Sequence, residues 1–422
     1  MAVEARAQQQ LENLRATDLF ALAAEAAAKG QSDDPLTLYN ALSRDPDIEI
    51  RTEARFRKGQ LLESLGRPAD AALEYRAILD AKPDATRVRL ELARMLVLLG
   101  DERGARRALR QAQAAELPPD TAALIDQFAA SLRSRRPFGG SVQVGLAPDT
   151  NINRATSART LETIIAPLTL SEDARGQSGV GLLAAGQAYA RVSVAPDLSI
   201  VPRVSGRGAF YRESAFNDIS GSALLGLEWQ LGNDRLTPSA GRTWRWYGDN
   251  LLATTDTVTL TWIRPVNRRM QVIASGSAAY ADYKQNRLQS GGLYDLSATL
   301  EYALDQRSGI GTTLSGTRQD AADPGYATTS GGFVLYGWRE AGRTTVFATV
   351  GARRTAGDER LFLFLEPRRE WLLQASAGAT LRQFTWQGFA PTVRAGIERN
   401  VSNVGLYDYR RFNTEFGITR AF

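Results

Sequence analysis

The C-terminal two-thirds of the chain alternates apolar and polar residues with a period of two, the signature of β-strands. In TVTLTWI, Val258, Leu260 and Trp262 share one face, and Thr257, Thr259 and Thr261 the other. YDLSATLEYAL sets Tyr294, Leu296, Ala298 and Leu300 against Asp295, Ser297, Thr299 and Glu301. Fourteen such segments start near residues 139, 178, 198, 219, 235, 255, 269, 292, 309, 326, 343, 369, 389 and 408. At about 20 residues per strand and connection, this is the cadence of membrane strands joined by turns. Short connections (195–199, 232–235, 264–269, 305–309, 340–343) alternate with longer ones (149–177, 212–218, 247–254, 284–291, 319–325, 356–368). Aromatics gather near strand ends, as in Trp244, Trp246 and Tyr247, or Tyr407 and Tyr409. An even strand count, alternating connections and aromatic girdles predict a closed barrel with its apolar rows toward lipid. A soluble sandwich has no reason to keep that order.

The final residues, FNTEFGITRAF, sharpen this. Phe412, Phe416, Ile418 and Phe422 lie on one face, with Thr414 between them and Arg420 as the exception. A barrel closes by pairing its first strand with its last, which satisfies every backbone group. Such a last strand must be regular and apolar on its lipid face. An ordinary edge strand would instead leave those Phe side chains on an open, aggregation-prone edge. The Arg420 stem can cover lipid while its guanidinium reaches the headgroups. The ending resembles the signal by which the outer-membrane barrel assembly machinery recognises its substrates. Carried over, the resemblance gives Phe412, Phe416, Ile418 and Phe422 that role.

Residues 1–135 follow a helical period instead. Leu124, Phe128 and Leu132 line one face of a helix that starts near Asp120 and is broken by Pro137, Gly139 and Gly140. A period of 34 runs through this half: Gly59, Gly66, Ala71, Tyr75 and Pro83 recur as Ala93, Gly100, Ala105, Leu109 and Leu117. Small residues let antiparallel helices approach, and the large residue fills the gap. The pattern resembles the tetratricopeptide repeat, with a degenerate unit upstream between Leu19 and Ile50. A concave groove for a partner is expected around Arg55, Arg89 and Leu92. The fold class expected is therefore α plus membrane β: tetratricopeptide-like helical repeats in 1–135, then a 14-stranded antiparallel transmembrane β-barrel in 136–422.

Composition narrows the chemistry. There is no Cys and no His, so no disulfide, no zinc-thiolate site and no imidazole base. The formal charge of +5 is spread over 51 basic and 46 acidic residues with no basic stripe, which argues against nucleic-acid binding. No phosphate-cradling loop or nucleophile elbow appears. DTNINR opens like a calcium loop, but Arg154 and Thr160 stand where Gly and Glu are required. We expect no catalytic, cofactor or metal site. Inward strand positions carry Arg191, Arg203, Arg207, Arg382 and Arg394 with Glu228, Glu301 and Glu415. These are expected either to solvate a narrow lumen or to form a charged conduit. MAVEARAQQQ has no apolar segment of a secretory signal, so a mature or truncated form is expected.

The junction FGGSVQVGLAPDTNINRAT and the ending GITRAF, joined to the helical-repeat-plus-barrel plan, resemble the surface lipoprotein assembly modifier family. The resemblance implies a non-enzymatic outer-membrane translocator that brings lipoproteins or soluble client proteins from periplasm to cell surface. The helical domain and both barrel ends would face the periplasm. Expected partners are a client lipoprotein or secreted protein, outer-membrane lipids, and the barrel assembly machinery during insertion, with the barrel itself monomeric. Two alternatives stay open: an exopolysaccharide export porin with periplasmic repeats, or a plain porin with a docking domain.

Overall fold

The structure, a computed structural model, describes residues 16–29, 33–99, 101–113, 138–305, 307–342, 344–384, 386 and 389–421. It falls into two compact units that divide between Arg135 and Arg136. The expected helix over Leu124–Leu132, Gly100, Leu117 and Phe422 lie outside the described residues.

The described part of the first unit is helical: α1 (Ala16–Ala28), α2 (Asp33–Leu42), α3 (Ile48–Ser64), α4 (Pro68–Ala81), α5 (Thr86–Leu98) and α6 (Glu102–Gln113). Asp47 caps α3 by accepting the Glu49 N–H at 2.8 Å. Gly66, at φ 70°, turns the chain out of α3, a left-handed conformation that favours glycine. The Arg67 N–H then reaches back to the Leu62 carbonyl at 2.8 Å, and 34 residues later Asp101 makes the same bond to Leu96 at 2.9 Å. Side chains follow the same offset. Ala71 and Tyr75 are buried, as are Ala105 and Leu109. A Cβ on Gly59 would lie 2.6 Å from the Tyr75 ring, so only glycine lets α3 come this close. Met95, Ile78, Leu92 and Leu96 complete the core.

The second unit is a barrel. Its strands are β1 (Phe138–Asp149), β2 (Gly179–Ala190), β3 (Leu198–Phe210), β4 (Asp218–Leu231), β5 (Asp234–Tyr247), β6 (Asn250–Pro265) and β7 (Met270–Tyr283). The circuit continues with β8 (Gly291–Ala303), β9 (Ser308–Gln319), β10 (Thr328–Ala341), β11 (Thr344–Gly357), β12 (Arg369–Leu381), β13 (Ala390–Ser402) and β14 (Tyr409–Ala421). Each pairs antiparallel with its chain neighbours, and β1 pairs with β14, from Ser141 opposite Ala421 to Asp149 opposite Asn413. The sheet has no open edge between its first and last strands. A short strand, Val192–Ala195, extends β2 along β3. The strands begin within two residues of the expected positions except β6, which starts at Asn250 rather than near 255. The expected loop 247–254 is a tight turn on Gly248 and Asp249, both at positive φ (54° and 64°), which matches the twist of a hairpin.

One face of every strand is apolar and exposed, with Leu296 at 70%, Leu314 and Val258 at 61%, and Phe416 at 53%. Along the middle of the strands, most polar side chains take the opposite, lumen face. That is polar-in and apolar-out, the arrangement required where hydrocarbon surrounds the wall. Among the described residues no helix is long and apolar enough to cross a membrane.

Candidate functional site: barrel seam, lumen and mouth

The seam between β1 and β14 is fastened by the motif that follows β1. Asp149 is buried and receives two hydrogen bonds from Arg411, at 2.8 Å from Nε and 2.5 Å from Nη2. Arg411 also donates to Glu398 on β13 at 2.8 Å, and Arg154 binds the same carboxylate at 3.1 and 3.3 Å. Two arginines and two carboxylates thus alternate across three strands, each charge facing an opposite one. The other Asp149 oxygen accepts the Asn151 N–H at 2.8 Å. The Asn151 amide bridges Ala155 and the Arg410 carbonyl, and Asn153 ties to Arg175 and Gln177. DTNINR is therefore a seam clasp and loop organiser. Sequence reasoning saw its regular Asp/Asn spacing but had no means of placing Arg411 and Glu398 beside it.

The lumen has two unlike walls. Across β6 to β9 it is lined by Thr257, Thr259, Thr261, Ser277, Thr299 and Thr313. Thr299 and Thr313 share a hydrogen bond of 2.8 Å, and Thr317 donates to Asp295 at 2.7 Å. Across β13, β14 and β1 to β4 it is charged. Arg191 donates to Glu228 at 3.0 Å, with Arg235 at 3.6 Å from the same carboxylate. Arg394 stands opposite Glu415, which accepts from Gln143 at 2.5 Å. The Arg394 guanidinium lies 5.2 Å over the Phe347 ring. On the hydroxyl-lined side, near the short-turn end of β8, Glu301 accepts from the Tyr336 hydroxyl of β10 at 2.9 Å. Arg203 and Arg207 point into the lumen and are exposed there, Arg207 donating to Ser220 at 3.2 Å. Arg382 is displaced from the strand assigned to it: it opens a short helical turn after β12 and binds the inward Thr345 hydroxyl at 2.5 Å.

At the long-loop rim, the connection from β1 to β2 carries a small hairpin, Thr160–Leu161 with Leu168–Thr169. Leu161 packs with Phe364 from the β11–β12 loop and Val404 from the β13–β14 loop, and the Ile164 N–H bonds the Leu363 carbonyl at 3.0 Å. Three neighbouring loops are thereby joined by one apolar cluster.

Phe412, Phe416 and Ile418 lie on the exposed outer face of β14. Among the residues expected to line a groove, Arg89 and Leu92 are instead core: Arg89 is 1% exposed, donating to Gln111 at 2.8 Å and to the Pro83 carbonyl at 3.0 Å. A long Arg with two internal acceptors is held inside by them, whatever its repeat offset. Arg55 is partly buried and pairs with Glu74 at 3.1 Å.

Residues 139–422, well over half the chain, match the family of surface lipoprotein assembly modifiers. The chain belongs to this family. Surface lipoprotein assembly modifier 1 of Haemophilus influenzae is 23% identical over 379 residues, covering 86% of this chain and 76% of that protein. Among solved structures the chain is similar to OmpT, an outer-membrane protein of Vibrio cholerae (11% identity, TM-score 0.41, 68% of this chain and 97% of that one). It is also similar to a bacterial polysaccharide outer membrane secretin (10% identity, TM-score 0.32, 67% and 98%). Membership of the assembly-modifier family, together with the closed barrel and its apolar exterior, makes this an outer-membrane protein.

Proposed function

We propose that this assembly modifier moves a client lipoprotein or secreted protein from the periplasm to the cell surface, and that it does so without a catalytic step. The helical unit receives the client on the periplasmic side, and the barrel provides or borders the route outward. Both strand ends at the seam, Phe138 and Ala421, emerge at the short-turn rim, which we assign to the periplasm. The observation that carries the reading is family membership joined to a lumen lined by hydroxyls and paired charges. Such a surface hydrates a passing polypeptide without holding it, because its hydroxyls bind weakly and the carboxylates of Asp149, Glu228 and Glu398 are already matched by arginines. Barrel insertion would use the assembly machinery, with Phe412, Phe416 and Ile418 as part of the signal it reads.

Surface labelling of a candidate client in cells with and without this protein tests the proposal. Client exposure should depend on its presence, and unchanged exposure overturns the reading. Removing residues 1–135 should leave an inserted barrel and abolish delivery; persistent delivery would show that the helical unit is not the receptor.

A further inference from the structure

The outer face of the barrel is not uniformly neutral near the long-loop rim. On β5 and β6, Arg242 and Asp256 form a bidentate pair at 2.6 and 2.7 Å. On β9, Arg318 is held by Asp358 at 2.6 Å and Asp320 at 2.8 Å. Lys284 pairs with Asp282 at 2.5 Å. Each of these three cations is matched by a carboxylate.

The sector β11 to β14 differs. Arg354, Arg369, Arg399 and Arg410 are all exposed there, and all share the face of the apolar row. In register, Arg354 lies opposite Trp371, Arg399 opposite Leu373, and Arg410 opposite Arg399. Only Arg399 has a carboxylate, Asp408, at 2.6 and 2.9 Å. Among the described residues, Arg354, Arg369 and Arg410 have no ion-pair partner; Arg354 instead lies 5.8 Å over the Trp371 ring. Two residues toward the barrel middle from Arg399, Ile397 stands opposite Phe412, so the apolar band begins directly beneath.

We infer that this sector binds the phosphorylated headgroup of a glycolipid in the leaflet at the long-loop rim. Like charges crowded on neighbouring strands repel, and three unmatched guanidinium groups at the edge of an apolar band call for anions at headgroup depth. Guanidinium forks match phosphate oxygens in pairs. Four adjacent strands span roughly 15 Å at the usual strand spacing, the scale of a disaccharide headgroup phosphorylated at both ends. Trp371 supplies an aromatic surface at the same boundary. The inference rests on the orientation proposed above, with this rim outermost.

The test uses the full chain in detergent, titrated with diphosphoryl lipid A and with its dephosphorylated form, bound fractions being read by native mass spectrometry. The wild type should hold the diphosphoryl form about tenfold more tightly, a preference that weakens with salt. The triple variant Arg354→Gln, Arg369→Gln, Arg410→Gln should lose it, and the balanced-sector variant Arg242→Gln, Asp256→Asn should keep it. Equal binding of both lipids by the wild type, or an undiminished preference in the folded triple variant, overturns the proposal. If the triple variant does not fold, Arg354→Gln and Arg410→Gln alone should each reduce the preference, and no reduction in either refutes it. Detergent binding is indifferent to orientation. That is read separately by labelling a cysteine placed at the exposed Ile165 on intact cells, since the chain has no other cysteine.

Discussion

Asp149→Asn is the sharpest test of the seam. The substitution keeps shape and keeps the oxygen that accepts the Asn151 N–H, while removing the charge that faces Arg411. The Asp149 side chain is 2% exposed and that of Arg411 13%, so water is a poor substitute for the lost partner. Breaking a buried pair by removing one member costs about 3–5 kcal/mol. Arg411 retains Glu398 at 2.8 Å, so the residual charge is partly compensated, and about 2–3 kcal/mol is the appropriate figure. For a domain of this size each kcal/mol shifts the midpoint by about 2–4 °C, giving a fall of roughly 4–12 °C. The assay is the temperature at which the compact band of the folded barrel converts to the unfolded band in SDS gels. Combining Asp149→Asn with Arg411→Gln should be less damaging than the two single effects summed, by about 1–3 kcal/mol of coupling. Conversion at the wild-type temperature, or strict additivity in the double variant, would refute the claim that this network fastens the seam.

Three further outcomes are expected. Gly59→Ala should destabilise the helical unit by about 1–2 kcal/mol in urea titrations followed by circular dichroism, because overpacking against Tyr75 exceeds the roughly 1 kcal/mol gain in helix propensity; combining it with Tyr75→Leu should recover part of the loss. Burial pushes the phenols of Tyr75 and Tyr39 above the ordinary tyrosine value of 10.0. Their neutral forms therefore support folding fully below pH 10 and lose that support as pH rises beyond it, so the urea midpoint should fall there. The fall should be smaller in Tyr75→Phe, whose missing hydroxyl is buried without a partner. On the barrel wall, Leu296→Arg should lower folded yield in vesicles by about 2–4 kcal/mol of insertion energy, whereas Ser297→Arg next to it should be tolerated, and equal effects would contradict the lipid-facing assignment.

Much of the barrel was legible because a strand shows its two faces within a few residues. Alternation fixed where β4, β8 and β14 run, and which side of each is apolar. It failed at 247–254, since YGDNLLAT reads as a longer connection while Gly248 and Asp249 reverse the chain in two residues. Arg89 and Leu92 were misplaced for a related reason: repeat offsets locate a residue on a helix but not the neighbours that cover it. Arg382 shows the same limit, because its short helical turn ends the alternation that would have placed it.

Local sequence, then, determined the strand count, the alternating connections, the apolar exterior and the 34-residue rhythm of the helices, each a property of side chains a few positions apart. Tertiary structure alone decided the seam, where Asp149 and Arg411 meet across 262 residues, and the unmatched arginine sector on β11 to β14. Both depend on which strands become neighbours and at what register. Closure of the barrel sets that globally, and no short stretch of chain encodes it.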